Sequence, residues 1–450
     1  MIQKQYYKQN LSLAIPIILS SLGQNLVQIV DTLMVGHLGT IPLAATAFAG
    51  MLTYNALVIG MGIAMALTPL VGQNYAQKKT KTVVSLFQNS LSLNTIISII
   101  IVALLLCLIP FLQYFGQDER VIDMCKPYYI VVTFSFIPML IFLCFKQFME
   151  GIDNTKAAMI ITISANVLNI IGNYLLIYGK FGFPQLGVLG AGVSTFVSRL
   201  LSPIAFFLYI YLSKKYSFYI KSFKWSNFST YLHSSLLRIG LPIAGQMFLE
   251  FLALSGISLM MGWISATCLA AFQIISTMIS TTFLTASGIC SATTVLVSHA
   301  FGADNEKEVK HNFLAGFRMV LVVMFFFAFI FIFFGKYIAE LFTEDENVIA
   351  VASQFFIVAG FFQLFDGSQV SGLAGLRGIN DVAKPMKYAF ISYALVSLPF
   401  AYVCGFVFNL GAWSVFAGFM AGLLTAAILY HRRFHKTVKR HFNSIKKEKD

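Results

Sequence analysis

Asp31 sits in the stretch QNLVQIVDTLMVGHLG, residues 24–39, an ionisable carboxylate inside an otherwise apolar run of membrane-spanning length. A bare charge at the centre of a bilayer costs about 3 kcal/mol on insertion scales, so an acid there asks for a protein-lined or wet cavity. On a helix, Gln24, Gln28 and Asp31 fall at i, i+4 and i+7 and share one face, which could line such a cavity while the other faces meet lipid. Asn169 and Asn173, one helical turn apart, and Thr195 in the next apolar run offer further oxygens. Carboxylate, amide and hydroxyl oxygens are what a hard monovalent cation such as sodium needs once it sheds water. A proton is the other candidate, because a carboxyl withdrawn from water holds a proton more tightly. The residues leave that choice open. The plainer reading is hydrogen bonding between helices, by a protonated Asp31 and by amides worth about 0.6 kcal/mol per bond.

A second set lies far along the chain. Gln246 and Glu250 are one turn apart, and FQLFDGSQ at 362–369 brings Phe362, Gln363, Asp366 and Gln369 close to one helical face. Two acids attract cations, and an aromatic ring such as Phe362 adds cation–π attraction. Arg199, just beyond GAGVSTFVS, reads as a snorkelling side chain at the inner end of its span, with a catalytic or gating role the lesser alternative. The sequence has no Walker A, HExxH or GxSxG pattern and no GxGxxG after a strand, so an enzyme is not expected. Without a nucleotide-binding domain, transport would run on an ion gradient.

The elements that must position these residues are membrane helices. Of 450 residues 58% are hydrophobic and 11% charged, against about 25% charged in a soluble domain. With about 20 apolar residues needed per helical span, twelve helices are expected, near 11–36, 45–70, 86–112, 127–148, 157–179, 186–212, 238–262, 268–296, 312–335, 347–375, 384–408 and 410–431. The runs are long and continuously apolar, unlike the alternating strands of about 10 residues in a barrel. Net charge is +13, but the basic residues cluster in short loops on one side and in the final stretch. The loops on that side hold Lys78, Lys79, Lys81, Lys156, Lys214, Lys215, Lys221, Lys224, Lys307, Lys310, Arg377, Lys384 and Lys387, against only Arg120, Lys126, Lys180 and Lys336 on the other. By the positive-inside rule both termini are cytoplasmic, as an even helix count requires, and nucleic-acid binding is not expected. The six cysteines lie singly without CxxC spacing and read as small core residues. The first apolar run continues to spanning length with no small-residue cleavage site, so it is a helix and not a signal peptide.

The halves repeat. Residues 13–76 laid on 239–302 without a gap give 15 identities in 64 positions, including Pro16 with Pro242 and LMxG at 33–36 with LMxG at 259–262. A second block aligns EGID at 150–153 with RGIN at 377–380. Six spans per half give both halves the same orientation, about a pseudo-two-fold axis along the membrane normal, with a central cleft as the default substrate site. The expected domains are a six-helix lobe at 1–212, a cytoplasmic linker at 213–235, a second six-helix lobe at 236–431 and a basic tail at 432–450. On the alignment Glu250 meets Gln24 and Asp31 meets Ile257, so each half has its own acid at a different place. That asymmetry favours two distinct functional jobs.

The chain resembles the multidrug and toxic compound extrusion (MATE) family over essentially its whole length, and its NorM-like branch in particular. The matching stretches are DTLMVGHLG at 31–39, TPLVGQNYAQKK at 68–79, NYLLIYGKFGFPQLGVLGAGVST at 173–195, LPIAGQMFLE at 241–250, SHAFGADNEKEV at 298–309 and FQLFDGSQVSGLAGLRGIND at 362–381. The resemblance implies two lobes forming a V and extrusion of cationic amphipathic compounds, coupled to sodium or proton entry, with no cofactor. It implies a cation site at Asp31, Asn169, Asn173 and Thr195, and a second-lobe site at Glu250 and Asp366. The branch often carries a Tyr four residues before the helix-10 acid, where this chain has Phe362. Losing that hydroxyl weakens the case for sodium in the second lobe.

A lipid-linked saccharide flippase of similar fold is the nearest rival, but its anionic pyrophosphate would ask for Arg or Lys, whereas the intramembrane charges read here are acidic. A channel or membrane receptor fits the repeat and the buried acids less well. The expected protein is therefore a monomeric multidrug antiporter of the bacterial inner membrane, whose partners are cationic drugs or toxins and the lipid bilayer.

Overall fold

A computed structural model describes residues 3–224 and 227–449. Residues 1–2 of the expected first lobe, 225–226 of the expected linker and 450 of the expected tail lie outside it. The described chain is helical, and twelve helices are long and apolar enough to cross a membrane. They are α1 (Lys4–Gly36), α2 (Thr40–Ala76), α3 (Thr80–Leu106), α4 (Glu119–Gly151), α5 (Thr155–Tyr178), α6 (Val188–Leu212), α7 (Thr230–Ile264), α8 (Ala266–Gly302), α9 (Glu306–Glu340), α10 (Glu346–Gly378), α11 (Ala383–Val407) and α12 (Ala412–Lys447). Each expected span has its counterpart, usually longer than the apolar run alone. Helix starts are held by the residues suited to it: Asn154, Ser265, Asn305 and Asp345 accept backbone N–H groups of the first turns of α5, α8, α9 and α10.

The chain forms two compact units, Leu19–Ala244 and Met1–Ile18 with Gly245–Asp450. The division falls inside α1 and inside α7, not in the expected linker, so 213–235 belongs to the first of these units as far as it is described. There Gln88 Nε2 on α3 donates to Lys224 O at 2.8 Å and Asn89 Nδ2 to Asn227 O at 2.7 Å. The expected tail is no loose appendage either. α12 continues through it to Lys447, with Phe434, Val438 and Phe442 buried at helical spacing in the core of the second unit and Arg433 paired with Asp381 at 2.6 Å.

The repeat seen in the sequence is repeated in the packing, unit by unit. In the Leu19–Ala244 unit, a Cβ on Gly62 would come within 2.4 Å of Ala244 Cα; in the other unit, a Cβ on Gly288 would come within 2.4 Å of Ile18 Cγ1. The aligned glycines Gly62 and Gly288 thus admit the first part of α7 and of α1, respectively, at backbone contact. Thr68 Oγ1 donates to Gln147 O at 3.0 Å, and its counterpart Thr294 Oγ1 donates to Ala374 O at 3.0 Å. The turns match as well, with left-handed backbone at Lys78 (φ 56°) and Asp304 (φ 53°), and at Asp153 (φ 63°) and Asn380 (φ 59°). Four non-glycine residues at positive φ in two matched pairs are turns inherited as units.

Candidate ion-coupling sites

In the Leu19–Ala244 unit, α5 and α6 pack closely because small residues face each other: a Cβ on Gly172 would meet Ser194 Oγ at 2.5 Å, and one on Gly190 would meet Leu176 O at 2.5 Å. This approach brings Thr195 of α6 up to the asparagines of α5. Asn173 is fully buried and Asn169 nearly so. Asn173 Nδ2 donates to Asp31 Oδ1. Turned so that both ends are satisfied, the Asn169 amide donates to Asp31 Oδ1 at 3.0 Å and accepts from Thr195 N–H at 3.3 Å. Ser194 Oγ donates to Asn169 O at 2.8 Å and fixes the α5 backbone. Asp31, Asn169, Asn173 and Thr195 therefore form one cluster, as their register predicts. Asn173 Oδ1 is buried and accepts no hydrogen bond, leaving an oxygen lone pair beside a carboxylate. Gln24 and Gln28 are exposed on α1.

Arg199 departs from its expected place. It lies midway along α6, one turn beyond Thr195, where Nη1 donates to Ser135 Oγ at 2.7 Å and the guanidinium stands 6.0 Å from the Phe136 ring centre. Ser135 is the residue at which α4 breaks. Snorkelling would require a helix end, and a side chain half-way along a span has none within reach.

The second unit holds a longer relay. Gln246 Nε2 donates to Glu250 Oε2 at 2.8 Å, and Arg377 Nη2 donates to Gln246 Oε1 at 2.8 Å. Arg377, expected in a loop, is in the last turn of α10. Asp366 is 3% exposed, with Oδ2 lacking any hydrogen-bond partner, and it is in electrostatic contact with Glu250. Gln363 turns to Thr282, to which it donates at 2.9 Å; Gln369 is fully buried. Phe362 is packed into an aromatic layer, stacked 5.5 Å from Phe416 and 5.7 Å from Phe419. Its ring faces are thus occupied by hydrocarbon. Tyr393, in a π-helical stretch of α11, Phe390–Ser397, is in electrostatic contact with Glu250, and its buried hydroxyl makes no hydrogen bond of its own. A π-helical turn widens the register and re-aims side chains, and such turns gather at functional sites. Among the described residues no cluster of three or more His, Cys, Asp or Glu forms a metal site.

The MatE family model matches residues 16–175 and again 242–403, the two repeats in turn. The chain belongs to the MatE family. Among MatE relatives, the multidrug resistance protein NorM of Vibrio cholerae is 30% identical over 434 residues, 94% of both chains. The probable multidrug resistance protein NorM of Bacillus subtilis is 29% identical, covering 97% of both. A MATE protein solved in a bent conformation superposes with a TM-score of 0.89 at 17% identity, covering 99% of both chains, which speaks to the fold. A MatE protein with twelve candidate spans is a multi-pass membrane protein, and the NorM-like reading of the sequence agrees with these relatives.

Proposed function

We propose that this MatE protein is a secondary active efflux transporter, exchanging cationic amphipathic compounds for entering sodium or protons by alternating access. The observation that carries the reading is Asp31, a carboxylate within a membrane span held by two buried amides beside an oxygen that accepts nothing. An acceptor-rich cluster of that kind has a use for a small cation. The curated relatives are named multidrug resistance proteins, which supports drugs and toxins as cargo. Glu250 and Asp366 are the second acidic site, with Gln246 and Tyr393 as neighbours. The loop charges support both termini inside, and the bacterial relatives support the bacterial cytoplasmic membrane as its place.

The flippase reading gains one observation, since Arg199 and Arg377 are intramembrane cations. Each, however, already serves a protein acceptor within its own unit, Ser135 and Gln246. The deciding experiment loads proteoliposomes with a fluorescent quaternary ammonium dye and imposes either a sodium or a proton gradient. Gradient-driven dye movement that Asp31→Asn abolishes supports the reading; dye movement indifferent to both gradients overturns it.

A further inference from the structure

Resting on the reading of Asp31 as an ion-coupling acid, we propose that Arg199 is a built-in counter-cation of that site and excludes sodium from it. The helix register sets the geometry: Thr195 touches the cluster through its backbone N–H, and Arg199 follows at i+4 on the same face of α6. The guanidinium is anchored on the far side by Ser135 Oγ at 2.7 Å, at the break in α4, and without forming an ion pair it stands within electrostatic reach of Asp31 and Tyr128. Asp31, Tyr128 and Arg199 are the titratable groups drawn together there. Arginine stays charged in proteins, so the acid already faces one permanent positive charge.

That charge acts on sodium specifically because sodium binding is weak to begin with. Its affinity arises from several oxygens replacing water, and the cluster supplies one carboxylate, two amides and a hydroxyl. A fixed cation nearby subtracts from that attraction, and little affinity need be lost before sodium at ordinary concentrations no longer occupies the site. Anchoring matters as much as charge. A loose arginine could swing away when an ion arrives, whereas the hydrogen bond to Ser135 and the Phe136 ring on its flank hold the guanidinium in place. Arg199 is in this sense a specificity-determining residue that need not touch the transported compound.

The test is sodium-22 binding to purified full-length protein in detergent, together with dye efflux from proteoliposomes. Wild type should bind no sodium that depends on Asp31, and its efflux should be indifferent to a sodium gradient. Arg199→Gln should raise Asp31-dependent sodium affinity by about tenfold or more, and the added binding should vanish in Arg199→Gln combined with Asp31→Asn. Arg199→Lys, which keeps a cation but gives up the guanidinium's anchor on Ser135 and Phe136, should fall between wild type and Arg199→Gln. Sodium binding by wild type that Asp31→Asn removes would overturn the proposal, whether or not Arg199→Gln folds. So would an Arg199→Gln protein that folds and still binds no sodium. Wild-type efflux that responds to neither gradient would instead refute the antiporter reading, which separates the two failures.

Discussion

Replacing Asp31 with asparagine tests the cluster as a unit. The carboxylate Oδ1 accepts from both Asn173 Nδ2 and Asn169 Nδ2, and a charge-assisted hydrogen bond is worth about 1.5–3 kcal/mol. An asparagine that places its Oδ1 in the same position still accepts from both amides, so what is lost is the charge assistance and not the hydrogen bonds. Removing a half-buried charge works the other way, because withdrawing that charge part-way from water was itself costly. The two effects oppose each other, and the thermal midpoint in detergent should move by only a few degrees. Function has no such compensation. A coupling ion that loses a single charge-assisted contact of about 1.5–3 kcal/mol binds roughly 10- to 150-fold more weakly. The assay is efflux of a cationic dye from cells or everted vesicles at matched membrane levels. Efflux equal to wild type in a stably inserted Asp31→Asn protein would refute the reasoning. A protein that fails to reach the membrane would show instead that Asp31 is a structural hydrogen-bonding group.

Gln246→Leu should cut the relay between Arg377 and Glu250, costing two half-buried polar groups a hydrogen-bond partner at up to about 1–3 kcal/mol each; a clearly lower melting midpoint checks it, and an unchanged one contradicts it. Glu250→Gln and Asp366→Asn should each weaken cation-driven efflux while the double variant costs less than the sum, because groups sharing a site are not additive. Strict additivity in a double-mutant cycle would separate them. Gly62→Ala should damage folding more than Gly288→Ala, since the added methyl meets the Ala244 backbone in one case and chiefly the Ile18 side chain in the other. Overpacking of this kind costs about 1–3 kcal/mol; equal yields and melting midpoints would argue against backbone contact at Gly62.

The twelve helices were legible because a span must be continuously apolar, and that requirement is written into each run. The Asp31 cluster was legible for a similar reason: Asn169 and Asn173 share a face at i and i+4, and Thr195 follows the small-residue stretch GAGVS that lets α6 approach. Arg199 was misplaced because the position of a charge along a span depends on where the helix begins and on what faces it, and only the break at Ser135 provides its acceptor. Arg377 was assigned to a loop because the apolar run stops at 375 while the helix continues to Gly378. In the final stretch, charge masked a buried stripe, Phe434, Val438 and Phe442, that helical spacing could have revealed. That the first part of α1 packs with the Gly245–Asp450 segment had no sequence signal beyond Gly288, since periodicity identifies a buried face but not its partner. Tyr393 was missed because a π-helical turn shifts register in a way no regular period reveals.

Export driven by ion movement through the half-buried Asp31 is open to measurement. Proteoliposomes carrying wild-type protein and a cationic dye, with sodium and proton gradients imposed one at a time, measure it directly. The account predicts dye transport that reverses when the effective gradient is reversed and that disappears in Asp31→Asn. Ohmic conductance with no gradient-coupled dye flux would contradict it.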